Sequence, residues 1–163
     1  MQLSKNLLTW QTLKILLLID DRNYLVIKMK LACHDHYEIT IKDNLLVVEM
    51  RGQFDDAIAQ QYIEDMYQVC ELLKNKVWGS LVTYNGSALF SPKAEEALID
   101  ITKFRVQHGM IANASIIIDS VNADIQQMQL QRIYQASRIT SHVFSDKNSA
   151  NQWLVAFIEQ KCL

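Results

Sequence analysis

The chain has 163 residues, 50% of them hydrophobic and 21% charged. That is enough for one domain with a real core, too short for two, and too apolar for a disordered chain. The 16 Lys and Arg are scattered among 18 Asp and Glu, for a formal charge of −2, so the clustered cations that a nucleic acid or an acidic membrane surface demands are missing.

The first stretch reads differently from the rest. LLTWQTLKILLLI (residues 7–19) is apolar but shorter than the about 20 residues a bilayer requires, and Lys14 interrupts it, so no integral membrane segment is expected. IDDRN follows where a signal peptide would want small residues. Met29-Lys30 stands just before the first convincing strand. Residues 1–28 therefore read as an N-terminal extension, appended or mis-started, ahead of one domain over residues 29–163. The alternative is an extra amphipathic helix, or a strand at YLVIKMKL, packed on one edge. Cys33, Cys70 and Cys162 form no CxxC and make an odd number, which implies a reducing, cytoplasmic setting.

From Tyr37 the pattern is regular. YEITI alternates, KDN turns, and LLVVEMRG returns, which predicts a β-hairpin. Asp55 or Asp56 can cap the helix that follows, whose Ile58, Tyr62, Ile63, Met66, Val69, Cys70 and Leu73 share one face. Asn75 and Lys76 end it, and VWGSLVTY is a strand too apolar for a solvated edge. Ser91 as N-cap and Pro92 at the first helical position start a second helix, with Ala94, Ala97, Leu98, Ile101 and Phe104 as its buried face and Gly109 as its left-handed stop. NASIIID is a buried strand. Ser120 or Asn122 begins a third helix, IQQMQLQRIYQA, rich in glutamine and with a thin apolar stripe of Ile125, Met128 and Ile133. ITSHVFSD is a strand ending in an Asp cap, and Ala150, Trp153, Leu154, Phe157 and Ile158 form a last amphipathic helix. The order β-β-α-β-α-β-α-β-α predicts an α/β fold whose later strands are mostly parallel.

The hairpin YEITIKDNLLVVEMRGQFD, the helix start SPKAEEAL and the ending HVFSDKNSANQWL resemble the SpoIIAA-like family, a branch of the STAS domains related to bacterial anti-sigma factor antagonists. The likeness covers residues 37–157 and lies in structural rather than catalytic motifs. It implies a mixed sheet with helices mainly on one face, used as a regulatory or interaction module. In the antagonists a serine in an Asp-Ser-Ser-Gly-type turn before the second helix is phosphorylated to control partner binding. This chain has Asn85-Gly86-Ser87 in the corresponding region, in a longer loop and without that motif, so Ser87 is a candidate by position. Some relatives have been likened to lipid-binding Sec14-type domains.

Ligands of open α/β sheets gather outside the carboxyl ends of parallel strands, where helix N-termini supply N–H donors. Two segments meet there: Asn85, Gly86, Ser87 and Ser91, and Asp119, Ser120 and Asn122. A simpler role for the same residues is as turns and caps. Cys33-His34-Asp35-His36 places two histidines on one strand face, but two ligands do not make a zinc site, so no metal is expected. No GxSxG, Walker loop or GxGxxG is present, so no catalytic residue and no cofactor is named. Asp55-Asp56 and Glu64-Asp65 read as helix caps and solvated acids.

The expectation is a non-enzymatic regulatory or protein-interaction domain of SpoIIAA/STAS-like type. It would present the 85–91 loop to a protein partner, with a small anion, a lipid or a second copy as further candidates. The alternative is a carrier of a small lipid or hydrophobic ligand of Sec14-like character, with a cavity among Met66, Phe104 and Trp153.

Overall fold

A computed structural model describes residues 14–19 and 25–33 as backbone strands and residues 35–162 with their side chains. Seven strands lie in sequence order across one sheet: β1 (Lys14–Ile19), β2 (Leu25–Cys33), β3 (Tyr37–Lys42), β4 (Leu45–Arg51), β5 (Trp78–Asn85), β6 (Met110–Ile118) and β7 (Thr140–Phe144). Neighbours from β1 to β4 are antiparallel, and β4 to β7 are parallel. Helices α1 (Asp56–Leu73), α2 (Pro92–Gln107) and α3 (Ala123–Ala136) connect the parallel strands, and α4 (Lys147–Cys162) ends the chain. From Tyr37 onward this is the order read from the sequence. LVIKMKL (residues 25–31) of the YLVIKMKL stretch falls within β2, which pairs with β3 and crosses the division between residues 28 and 29; Tyr24 lies outside the described residues. LLTWQTL (residues 7–13) lies outside the described residues.

Local chemistry sets the element ends. The hairpin of β3 and β4 closes on Lys42 opposite Leu45, with Asp43 in the left-handed region at φ 54°. Asp55 caps α1 by accepting from Ile58 N, and Ser91 caps α2 by accepting from Ala94 N, with Pro92 at the first position. Asp146 accepts from Ser149 N at the start of α4. Gly109 sits at φ 100° after α2, and a Cβ there would meet Lys76 O at 2.0 Å. Its lack of a side chain thus serves the helix stop and a close backbone approach together.

Two apolar layers sandwich the sheet. On one face α1, α2 and α3 pack side by side over Ile39, Val48, Trp78, Val82 and Met110. On the other face α4, the one helix there among the described residues, crosses β5, β6 and β7, pressing Ala150, Leu154 and Ile158 onto Leu45, Leu81, Ala112, Ala114 and Ile116. Gly79 makes that approach possible: a Cβ there would lie 2.8 Å from carbons of both Leu154 and Ile158. Every residue of β5 except Asn85 is buried, the polar Ser80 and Thr83 included, as expected of a strand covered on both faces.

Two helix faces differ from expectation. On α2, Phe104 is half-buried and stacks on His108, while Thr102 and Arg105 are buried. The predicted stripe of α3 splits: Ile133 is buried, Ile125 and Met128 are exposed, and Gln126 and Gln129 take their places inside. The phase is set by Leu130, Ile133 and Tyr134, which pull the glutamines in on the same face.

Arg105 is the unforeseen core residue. Its guanidinium donates to Ser80 Oγ on β5 and lies 5.7 Å from the centre of the Trp78 ring. Its Nε has no partner, and no carboxylate pairs with it among the described residues. A buried cation with so few acceptors adds little net stability, because its desolvation offsets what the contacts contribute. We expect Ser80→Ala to cost about 1–3 kcal/mol, the usual consequence of leaving a buried donor unmatched. We expect Arg105→Met, of similar length and uncharged, to cost less than Ser80→Ala. Urea unfolding of the two variants checks the order, and a larger loss for Arg105→Met would contradict it.

Candidate functional site

All seven residues singled out in the sequence come to the carboxyl edge of the parallel strands. Asn85 is the exposed last residue of β5, and its carbonyl accepts from Gly52 N. Gly86, at φ 91°, donates its N–H to Ile118 O, tying the end of β5 to the end of β6. Ser87 Oγ accepts from Val121 N at 3.2 Å and lies 3.5 Å from Ser120 Oγ. Ser120 Oγ in turn accepts from Asn122 N. Asp119 is exposed and left-handed at φ 53°, and Asn122 opens α3 without a side-chain cap bond. The turn-and-cap reading therefore accounts for much of this set.

The loop of residues 86–91 is held at its far end as well. The side-chain amide of Gln129 pairs with the backbone of Phe90 twice, donating to its carbonyl at 2.8 Å and accepting from its N–H at 3.0 Å. Ser91 Oγ makes a short bond to Asp56 Oδ1 while accepting from Ala94 N. That hydroxyl joins the starts of α1 and α2.

Between the α1 start, the loop and the α3 start lies an open cleft of about 550 Å³, with Phe54, Asp55, Asp56, Ser87, Leu89, Ser91 and Asn122 in its wall. Its charged groups are Asp55 and Asp56, and no Lys or Arg lines it. The partial positive charge of the helix starts is thus already met by carboxylates, which disfavours a free anion. Asp55 and Asp56 were legible as caps, but their meeting with Ser87 was not.

A second groove of about 380 Å³ runs between α2 and α3, bridged by a two-bond fork from Arg132 to Glu95 at 2.7 and 2.9 Å. The guanidinium beside Glu95 holds its carboxyl below the ordinary carboxylate range. Next to both hollows, Val121, Ile125 and Met128 form an outward row, 91%, 52% and 59% exposed, with Leu89 beside the cleft at 37%. Ile125 and Met128 stand one turn apart on α3, and Val121 lies in the turn just ahead of its N-cap, Asn122.

Other sequence candidates disperse. Met66 and Phe104 belong to the layer under α1–α3, whereas Trp153 packs on the α4 side, so the sheet separates them and no single cavity contains all three. His142 meets the Trp153 ring at 5.0 Å, and His108 stacks on Phe104. His36 is exposed, His34 lies outside the described residues, and no cluster of three metal-ligating side chains exists among the described residues. Asp65 accepts from Tyr37 OH at 2.6 Å, fastening α1 to β3. Burial pushes the Cys70 thiol up to about 11, as suits a thiol that packs as a small hydrophobe.

The architecture defines an α/β protein with helices on both faces of a mixed sheet and a polar cleft beside an apolar row at its carboxyl edge. Comparisons with protein-family models, curated proteins and solved structures find no match. No helix among the described residues is long and apolar enough to cross a membrane.

Two outcomes follow from this geometry. Ser91→Ala should lower stability by about 1 kcal/mol, typical for a lost N-cap, and Ser91→Asp, a cap of opposite effect on Asp56, should be worse than Asp capping alone predicts; thermal unfolding measures both. Glu95, depressed in the folded chain, contributes stability above its unfolded value of about 4.3 and loses it as pH falls through the lower folded value. Glu95→Gln should therefore flatten the decline of stability below about pH 4.3, read by urea titrations across the acid range.

Proposed function

We propose that this chain is a non-enzymatic protein-interaction domain of SpoIIAA/STAS-like type that receives its partner at the carboxyl edge of the sheet. The observation that carries the reading is the row of Val121, Ile125 and Met128 standing exposed beside the cleft. Single exposed apolar residues are ordinary, but Ile125 and Met128 on α3 with Val121 in the turn before it concentrate burial free energy where a partner would cover it. At about 25 cal/mol per Å² of apolar area covered, such side chains supply the anchoring part of an interface.

The loop is suited to regulate that contact. A phosphoryl group on Ser87 would add about −1.5 to −2 charges beside the Val121 N–H and the uncapped start of α3, which attract it, and in the cleft that Asp55 and Asp56 line, which repel it, so it would change the charge a partner meets there. On Ser91 the same group would face the Asp56 carboxylate and break the link between α1 and α2. Ser87 is thus the better acceptor of the two. The element order from Tyr37 to α4 supports the SpoIIAA/STAS-like part of the reading.

Site-specific photo-cross-linking in cells tests the docking face. A photoreactive residue at position 121 should give a discrete adduct that disappears with Ile125→Asp, while one at position 72 on exposed α1 should not. An absence of any adduct at 121, or equal adducts at both positions, would count against this function.

A further inference from the structure

We infer that the partner segment seated on the Val121, Ile125 and Met128 row is a cationic amphipathic helix of another protein. This rests on the docking face proposed above and adds what the partner's contacting surface must be. Ile125 and Met128, one turn apart on α3, with Val121 exposed just ahead of its N-terminus, are matched by another helix presenting its own apolar residues at steps of three and four. The surroundings of the row then decide the charge of that helix.

Those surroundings are acidic. Asp119 and Asp124 are exposed on either side of Val121, and Asp124 lies one turn before Met128. Asp55 and Asp56 are exposed in the adjoining cleft, whose lining holds no cation. Cations near the edge are mostly engaged: Arg132, one turn beyond Met128, is forked onto Glu95, and Lys147 is bonded to Glu49. Lys93, in the first turn of α2, is exposed. A chain whose formal charge is only −2 therefore gathers carboxylates around its most exposed apolar row.

That arrangement selects among occupants. Two copies meeting row to row would set Asp119 and Asp124 of each against those of the other, and like charges brought together at an interface are strongly unfavourable. An anionic lipid surface or a free anion meets the same repulsion. A helix with Lys or Arg flanking its apolar stripe covers the row and places opposite charge at the rim, which also speeds encounter at low salt.

The test titrates the full nitrogen-15-labelled chain with three synthetic amphipathic helical peptides sharing one leucine stripe and carrying lysine, glutamine or glutamate on the polar face. The lysine peptide should shift the amides of Leu89, Val121, Ile125 and Met128 and bind about tenfold tighter than the glutamine peptide, as rim charge complementarity allows. That advantage should vanish at about 0.5 M salt and in Asp119→Asn/Asp124→Asn, where asparagine still tolerates the left-handed backbone at 119. Equal binding of the lysine and glutamine peptides at the row, or preference for glutamate, would overturn the cationic partner and leave the docking face standing. Shifts confined to other surfaces, or none with any peptide, would overturn both. Concentration-dependent shifts of the row in the chain alone would replace the inferred helix with a second copy.

Discussion

The structure hangs on the way its parallel strands step in one direction across the sheet. From β4 to β7 each strand is added beside the last, with a helix in each crossover. Repeating the same handed crossover lays α1, α2 and α3 on one face and brings all their N-termini to one edge. Because the stepping never reverses, the helices do not diverge to open a crevice of the kind that holds ligands in doubly wound sheets. The hollow at this edge is made instead by the loops, and its walls are the caps of the helices themselves.

The same constraint accounts for the polar groups inside. Strands β5 and β6 are covered on both faces, yet Ser80, Asn113 and Ser115 face the helical layer and are buried. Arg105 reaches Ser80, and Asn113 and Tyr134 meet Ser115. Gln129 goes further by pairing its amide with the Phe90 backbone, so a side chain replaces a strand neighbour for a loop that has none. This bond and the burial of Leu130, Ile133 and Tyr134 fix the rotation of α3. Once the glutamines face inward, Ile125 and Met128 are left on the exposed side of α3, next to Val121 in the turn before it. The apolar row is thus the counterpart of a polar interior.

The fourth helix obeys a different rule. Among the described residues α4 packs on the face opposite α1, α2 and α3 and crosses β5, β6 and β7. Small side chains at Ala112 and Ala114 and the absence of one at Gly79 let Leu154 and Ile158 come close. Half-buried Trp153 and Phe157 gather with Phe144 and His142 against β7, whose residues are otherwise exposed or half-buried.

Much of this was already determined by the sequence. Periodicities of two and three to four residues marked the strands and helices from Tyr37 onward, and Asp55, Ser91-Pro92, Gly109 and Asp146 marked their ends, because those signals act within a turn or two of chain. Local signals placed Asn85, Gly86, Ser87, Ser91, Asp119, Ser120 and Asn122 at strand ends and helix starts, and the parallel stepping of the strands gathered them at one edge. Tertiary structure alone decided that Arg105 and two glutamines lie inside, that α4 takes the opposite face from α1, and that Asp56 meets Ser91 across 35 residues. Those outcomes depend on which surfaces compete for burial and which distant atoms supply a missing hydrogen bond, and neither is written in the spacing of residues along a single helix.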